Sequence, residues 1–134
     1  MNPRHQKNDG GGIGPNSRKW KGGRHTPLTH FHKFKRAAER RDIEWSLTIG
    51  DIDDLFDRQH GLCAMSGVKL AFDFGMRNGV ENGNASLDRI DSKQGYHIGN
   101  VQLITKAINI GKQSQPYGDF VRMCMRVVEH HLCD

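Results

Sequence analysis

The pattern of apolar and polar positions divides the chain into a polar N-terminal arm and a single domain. Residues 1–24 contain six glycines and, apart from Ile13 and Trp20, almost no apolar side chain. A segment of this composition cannot bury a core, so we expect a disordered basic arm. Residues 25–134 alternate helical and extended patterns, and their length suits one α+β domain.

Two amphipathic helices are predicted in the first half of the domain. The first is expected to begin at the pair Thr26-Pro27, an N-cap followed by a first-turn proline, and to end near Arg41. The second is expected to begin at Thr48, which forms a capping box with Asp51, and to end near His60-Gly61. The apolar stripe of the first helix consists of Leu28, Phe31, Phe34 and Ala38.

The middle of the chain predicts short β structure. Residues 62–74 fit a β-hairpin, and residues 74–84 form a loop rich in glycine and asparagine. Extended segments are predicted at 85–90 and 100–104, with the turn-rich residues 91–99 between them.

Two further helices are predicted after the strands. The first covers about residues 103–110, with Gly111 as its stop signal. The second is a closing helix at about residues 116–131. Its apolar stripe, which we expect to pack in the core, consists of Tyr117, Phe120, Val121, Cys124, Val127 and Val128.

The net charge of +5 conceals a strong asymmetry. Residues 1–41 hold eleven Lys and Arg against two acidic residues, a net +9, whereas residues 42–134 carry a net −4. A basic arm favours a phosphate-backbone partner, although a solubilising tail and a solvated helix face are the alternatives. On the first helix, His30 and Lys35 are also expected on the exposed basic face. The side chains expected to contact nucleic acid are Arg18, Lys19, Lys21, Arg24, Lys33, Arg36, Arg40 and Lys112, the last with a solvated lysine as the alternative.

The cysteines and the hydropathy exclude several classes of protein. Cys63, Cys124 and Cys133 are odd in number and never form a C-x-x-C pair, so we expect reduced thiols and neither a disulfide framework nor a four-cysteine zinc site. No run of eighteen apolar residues occurs, and the N-terminus lacks an apolar signal segment. We therefore expect a cytoplasmic protein with no membrane partner and no small-molecule cofactor.

Three polar residues in the second half of the chain suggest chemistry. Asp88 ends an extended segment, Asn100 follows a turn, and Asn109 lies in a short predicted helix. A strand, turn, strand and helix could bring them toward one side. Carboxylate and amide oxygens suit Mg²⁺ or Mn²⁺, which accept water and phosphate oxygens as further ligands. The alternative is that these residues merely serve turns, where Asp and Asn are common.

Taken together, these motifs resemble HNH endonucleases, particularly the compact enzymes of phages and mobile elements. The resemblance implies a ββα-metal core at about residues 62–113 with flanking helices, one divalent ion, and hydrolysis of double-stranded DNA, in the host cytoplasm if the gene is carried by a phage. The oligomeric state stays open. The matching stretches are Ile43-Glu-Trp-Ser-Leu-Thr48, Cys63-Ala-Met-Ser-Gly67, Ser86-Leu-Asp-Arg-Ile-Asp91, Gly95-Tyr96, Gly99-Asn100-Val101-Gln102, Asn109 and Lys112.

The resemblance also implies roles for individual residues. Asp88 and Asn109 correspond to the metal ligands, and Asn100 to the residue that fixes the loop by hydrogen bonds and so orients the catalytic strand. Ser66 stands where zinc-binding members of the family have a second cysteine, so no structural zinc is expected. A DNA-binding protein that has kept the scaffold without the hydrolysis is the main rival, and an RNA-binding, ribosome-associated protein is a third possibility.

Arg89 departs from the family pattern, because it stands where the general-base histidine is usual. An arginine stays protonated and cannot accept the proton, but it can clamp a phosphate. The Asp-Arg-Ile-Asp pattern is similar to the Asp-Arg-Gly-His motif of related nucleases, which makes Asp91 one base candidate. His97 in the turn is the other. The alternatives are a turn-capping role for Asp91 and a plain exposed position for His97.

Overall fold

The computed structural model describes residues 21–72, 76–77, 80–81 and 83–132, and these form a mixed α+β structure. Helices and short antiparallel strands follow one another along the chain, and the two strand pairs are separate sheets. In chain order the elements are α1 (Leu28–Arg40), α2 (Ile49–Arg58), β1 (Met76–Arg77), β2 (Val80–Glu81), β3 (Ala85–Arg89), β4 (Val101–Thr105), α3 (Lys106–Lys112) and α4 (Tyr117–Leu132).

The antiparallel pair of β3 and β4 lies at the centre of the molecule. Its register places Leu87 opposite Leu103 and Asp88 opposite Gln102. Every residue of β4 is buried, including the polar side chains of Gln102 and Thr105. The next helix, α3, starts directly after β4 at Lys106, where the side chain of Thr105 accepts a hydrogen bond from the Ile108 amide.

The predicted strands were therefore correct, but the bounds of the following helix were not. The helix was expected at about residues 103–110, whereas residues 103–105 complete the ladder with β3 and α3 covers Lys106–Lys112. Gly111 does not stop it. The chain leaves the helix one residue after Lys112, at Gln113, whose φ is 52°.

A single side chain covers the outer edge of β4. Gln59, the C-cap of α2, donates from Nε2 to the Leu103 carbonyl (2.8 Å) and accepts at Oε1 from the Leu103 amide (2.9 Å). Its amide thus pairs with Leu103 as the backbone of a neighbouring strand would. The Ala64 amide donates to the same carbonyl at 3.0 Å. The edge of a two-stranded sheet, which is marginal alone, is satisfied in this way.

The core is formed by apolar side chains from α2, from β3 and β4, and from the segment between α2 and β3. The capping box of Thr48 and Asp51 is present as predicted, and it starts α2 so that Ile52 and Leu55 face inward. Phe31 and Phe34 of α1 pack against this cluster from outside. The buried members are Leu47, Ile52, Leu55, Cys63, Leu70, Phe72, Ala85, Leu87, Val101, Leu103 and Ile104.

Helix α1 differs from the prediction at its start and on one face. Thr26 is not the N-cap; Pro27 is, without a side-chain cap, because the Thr26 hydroxyl donates to Asp53 at 2.8 Å. His30 was expected on the exposed basic face but is buried, with edge-on contacts to Phe34 and Phe72. Of the predicted apolar stripe, Ala38 is buried, and Phe31 and Phe34 pack against the core as expected.

Asp53 on α2 fixes the start of the described chain. Its buried carboxylate accepts hydrogen bonds from the amides of Arg24 (2.7 Å), His25 (3.0 Å) and Thr26 (2.9 Å), in addition to the Thr26 hydroxyl. The backbone of Gly23 lies so close to this carboxylate that a Cβ on Gly23 would be 1.8 Å from Asp53 Oδ2. Residues 21–24, predicted as part of the disordered arm, are thus held on the domain, and residues 1–20 lie outside the described residues.

Two other regions depart from the predictions. In the described part of residues 62–74, the expected hairpin reduces to one antiparallel bridge between Leu62 and Lys69. The described part of the loop expected at residues 74–84 contains the short pair of β1 and β2. The stripe on α4 was predicted to be core, and this was wrong. Only Phe120 is buried there, whereas Val127 and Val128 are 54% and 52% exposed. Helical periodicity identified the helix but not what its apolar face contacts.

We expect Asp53→Asn to lower the free energy of unfolding by about 1.5–3 kcal/mol at neutral pH, since an amide nitrogen would face an N–H donor. Burial raises the pKa of Asp53, but the hydrogen bonds from Thr26, His25 and Arg24 outweigh it and hold the pKa below its ordinary value. The ionised form therefore stabilises the fold above about pH 4, and this contribution is lost as the pH falls through the lowered pKa. Urea titrations at pH 7 and pH 3 measure both effects.

The matched control is Asp54→Asn, the same change one residue along the helix. Asp54 is exposed and pairs with the exposed Arg24 guanidinium at 3.0 Å, so its loss should cost less than about 1 kcal/mol. Equal destabilisation by the two variants would contradict the role given to Asp53.

Candidate active site

Asp88 lies near the end of β3 with both carboxylate oxygens engaged. Oδ2 accepts a hydrogen bond from Gln102 Nε2 at 3.0 Å, which follows from the cross-strand register. Oδ1 lies 3.3 Å from Nζ of Lys112, the last residue of α3. Asp88 is 6% exposed and Lys112 is 1% exposed, so this is a buried ion pair. Strand pairing and the short helix together bring the three side chains to one point.

A cavity of about 310 Å³ opens beside Asp88, and Asn109 of α3 lines it as well. Asn109 is held in place because its Nδ2 donates to the Ser86 hydroxyl on β3 at 2.6 Å. The two predicted metal ligands are thus brought to the same cavity from neighbouring elements. Their neighbours in the lining include Arg41, Arg89, Tyr96 and Gln113.

An adjoining cavity of about 300 Å³ shares Asn109, Tyr96 and Arg41 with the first. Lys33 and Lys106 line it, as does the buried His30. The two cavities form a depression with the Asp88 carboxylate on one side and the cationic side chains Lys33, Arg41, Arg89 and Lys106 around it. Sequence reasoning missed Arg41, Lys106 and His30, and the only available signal was that α1 carries basic residues to its end.

Asn100 holds the loop between the two strands. Its Oδ1 accepts from the Asp91 amide (2.9 Å), and its Nδ2 donates to the carbonyls of Asp91 (3.0 Å) and Gly95 (2.9 Å). Asn100 is buried, and it does not line the cavity beside Asp88. Its contacts are those of a residue that positions the loop, which is the role the resemblance implied.

Arg89 lines the cavity, but part of its guanidinium serves the loop. Nη1 donates to the carbonyls of Ser92 (2.7 Å) and Gln94 (2.9 Å), and the guanidinium carbon lies 5.5 Å from the centre of the Tyr96 ring. The arginine is therefore held rigidly at the cavity wall. A phosphate could be bound only by the edge of the guanidinium that faces the cavity.

The two predicted general bases lie in the loop and line neither cavity. The Asp91 carboxylate accepts from the Lys93 amide at 2.9 Å and from Gln94 Nε2 at 3.2 Å, which is the turn-capping arrangement. His97 is exposed, and its Nε2 lies 3.1 Å from Gln94 Oε1. Both residues thus have the geometry of the structural alternatives given above.

The side chains predicted to contact nucleic acid fall into four groups. Lys21, Lys33, Arg36 and Arg40 are at least partly exposed, the last three on α1. Arg24 is exposed, but its guanidinium is paired with Asp57 (2.6 Å) and Asp54 (3.0 Å), which raise its pKa further. Lys112 is neither solvated nor at the surface, because its ammonium is buried against Asp88. Arg18 and Lys19 lie outside the described residues.

Few side chains at the candidate site could bind a metal ion. In the described parts of the chain, no group of three or more His, Cys, Asp or Glu side chains could hold a metal ion. Cys63 is buried in the core and its sulfur accepts from the Ser66 amide at 3.4 Å, whereas Cys124 is exposed on α4. Asp88 and Asn109 are two oxygen donors at one cavity. This set suits a hydrated hard cation but not zinc.

Comparisons of the chain with family models, with curated proteins and with solved structures find no match. Among the helices of the described residues, none has the length and apolar character needed to cross a bilayer. The function is therefore inferred from the site itself.

We expect Asn100→Ala to lower the free energy of unfolding by about 2–4 kcal/mol, because the variant lacks three hydrogen bonds of a buried side chain and leaves loop groups without partners. Chemical denaturation measures the change. His97→Ala, an exposed side chain in the same loop, is the control and should shift stability by less than about 0.5 kcal/mol. A neutral Asn100→Ala variant would mean that the loop is held by other contacts.

Proposed function

We propose that this protein is an HNH-type endonuclease that hydrolyses phosphodiester bonds of double-stranded DNA with Mg²⁺ or Mn²⁺. The observation that carries the proposal is the meeting of Asp88 and Asn109 at one cavity whose rim is cationic. A carboxylate beside an amide oxygen suits a hard divalent ion, and the surrounding lysines and arginines suit a phosphate backbone. The order of β3, β4 and α3 agrees with a ββα-metal core.

Asp88 and Asn109 would hold the ion as two protein ligands and leave its other positions for water and phosphate oxygens. When bound, the ion supplies a nucleophilic water of lowered pKa and offsets charge on the leaving oxygen. Gln102 keeps the Asp88 carboxylate oriented through Oδ2. Ser86 does the same for Asn109 through its amide nitrogen.

The arginines at the cavity would bind and orient the scissile phosphate. Arg89 is fixed by two loop carbonyls and by the Tyr96 ring, so its contact with a phosphate oxygen would cost little conformational freedom. Arg41 lines both cavities and would contact the backbone beside it. Lys33, Arg36 and Arg40 on α1 extend this basic surface and would follow the duplex.

A DNA-binding protein without hydrolysis is the second candidate. It is favoured by one observation: neither Asp91 nor His97 lines the cavity, so no predicted base is within reach of a water at Asp88. In the endonuclease, neither of these two residues would then take the proton from the attacking water. Metal-dependent nicking of plasmid DNA separates the two candidates.

Asp88→Asn and Asn109→Ala should each lower the rate of plasmid nicking in Mg²⁺ or Mn²⁺ by at least about a hundredfold, since each removes a proposed ligand. EDTA should abolish nicking by the wild type. The control Asp119→Asn makes the same chemical change as Asp88→Asn on the exposed surface of α4 and should retain the wild-type rate. Duplex binding should persist in all variants.

Two results would contradict this proposal. Nicking that persists in Asp88→Asn would remove the metal assignment. Tight duplex binding with no nicking by the wild type in either ion would favour the binding protein instead. Circular dichroism of each variant checks that the fold is retained.

Deleting residues 1–20 should weaken duplex binding without unfolding the domain, because the segment contains four Lys and Arg and the hydrogen bonds to Asp53 begin at Arg24. The slope of log K against log salt should flatten by up to about 0.9 for each phosphate that the arm no longer neutralises. Fluorescence anisotropy at several salt concentrations measures the slope. An unchanged slope would show that the arm does not contact DNA.

A further inference from the structure

The most unusual group in the candidate site is the ammonium of Lys112. It is the largest of the fully buried side chains among the described residues, with 1% exposure, and its charge faces Asp88 Oδ1 at 3.3 Å. Lysines are almost never buried to this extent unless they are paired. The carboxylate of the proposed metal ligand is thus already neutralised by a cation that belongs to the protein.

The carboxylate of Asp88 has one neutral partner and one cationic partner. Gln102 occupies Oδ2 with a neutral donor, so the charge of the carboxylate is balanced only at Oδ1, where Lys112 lies. A divalent ion bound to Asp88 would approach the same carboxylate. A second positive charge within a few ångströms of a buried ammonium is strongly repelled, because the interior screens charge poorly.

We propose that the Lys112 ammonium occupies the cation position of Asp88, and that a divalent ion binds there by displacing it. Lys112 then competes with the divalent ion for the Asp88 carboxylate, and this competition sets the metal affinity of the protein without DNA. This inference rests on the proposed metal site, and it deepens the proposal by assigning the regulation of that site to one residue. The displaced ammonium would move off the carboxylate, and Asp88 and Asn109 would hold the ion.

The geometry of α3 permits such an exchange. Lys112 is the last residue of a seven-residue helix, and the chain turns out of the helix at Gln113, which lines the cavity beside Asp88. Lys112 does not itself line this cavity of about 310 Å³, but its partner Asp88 and its helix neighbour Asn109 do, so the displaced ammonium would move toward it. A phosphate of bound DNA would offer the displaced ammonium a new partner, so that the metal and the duplex would each favour the binding of the other.

The alternative is that the pair is purely structural and that Asp88 binds no metal. A buried ion pair broken from one side leaves the other charge without a partner and destabilises the fold, whichever role it has. Loss of stability on removing Lys112 therefore decides nothing by itself. What separates the two roles is whether an added cation replaces the missing ammonium.

The test measures Mn²⁺ binding and thermal unfolding of the full chain, with no DNA present. Lys112→Met removes the charge and keeps a long unbranched side chain, and Lys112→Gln also keeps a donor for Asp88. We expect Mn²⁺ to bind Lys112→Met about tenfold or more tightly than the wild type in titration calorimetry. We also expect its lowered melting temperature in EDTA to rise with Mn²⁺ by more than that of the wild type.

The double variant Asp88→Asn/Lys112→Met is the matched control, because it replaces the ion pair by two neutral side chains of similar size. It should not respond to Mn²⁺. If Lys112→Met does not fold, Lys112→Gln gives the same comparison, with an affinity gain of the same sign.

Each outcome is decisive. Equal Mn²⁺ affinities in the wild type and in the lysine variants, abolished by the change at Asp88, would overturn the competition and leave the proposed endonuclease intact. Mn²⁺ binding in none of the proteins, or binding that persists in the double variant, would overturn both the competition and the metal site.

Discussion

The antiparallel pairing of β3 with β4 is the constraint on which the other elements depend. It fixes Asp88 opposite Gln102 and Leu87 opposite Leu103, so one register sets both the polar site and the apolar core. A slip by one residue would exchange the faces and turn Asp88 away from its partners. Because two strands alone are marginal, the pairing requires the cover that Gln59 and the side chains of α2 supply.

Local signals in the sequence predicted most elements, and long-range contacts explain where they failed. The capping box at Thr48 and the strand at 85–90 follow from neighbouring residues alone, and both were correct. Thr26 has the local features of an N-cap, but a buried carboxylate 27 positions away accepts its hydroxyl hydrogen bond. Gln59 and Asp53 are polar residues in a helix pattern, and no periodicity distinguishes them from solvated side chains.

In the candidate site, too, local sequence signals predicted some features, and long-range contacts determined the others. The spacing of Asp88 and Asn109 allowed the prediction that they meet, since a strand pair followed at once by a helix leaves few arrangements. The roles of charged residues were harder to predict. Arg89 donates hydrogen bonds to carbonyls of the loop between the strands, and the Asp91 carboxylate accepts one from the Lys93 amide. Lys112 is buried, where its ammonium neutralises Asp88. A sequence shows which residues are charged, but it does not show which residues they pair with in the fold.

Helix α4 divides the molecule into regions of very different stability. Phe120 is its only buried residue, and from Arg122 to Leu132 each side chain is exposed. An isolated helical segment of about eleven residues is marginal in water, since few hydrogen bonds follow the costly first turn. Its backbone amides should therefore open many times for each global unfolding event, whereas those of β4 open only when the whole domain unfolds. The part of the described protein that unfolds cooperatively therefore ends near Phe120. The rest of α4 should form and unfold independently of the core, according to its own helix stability.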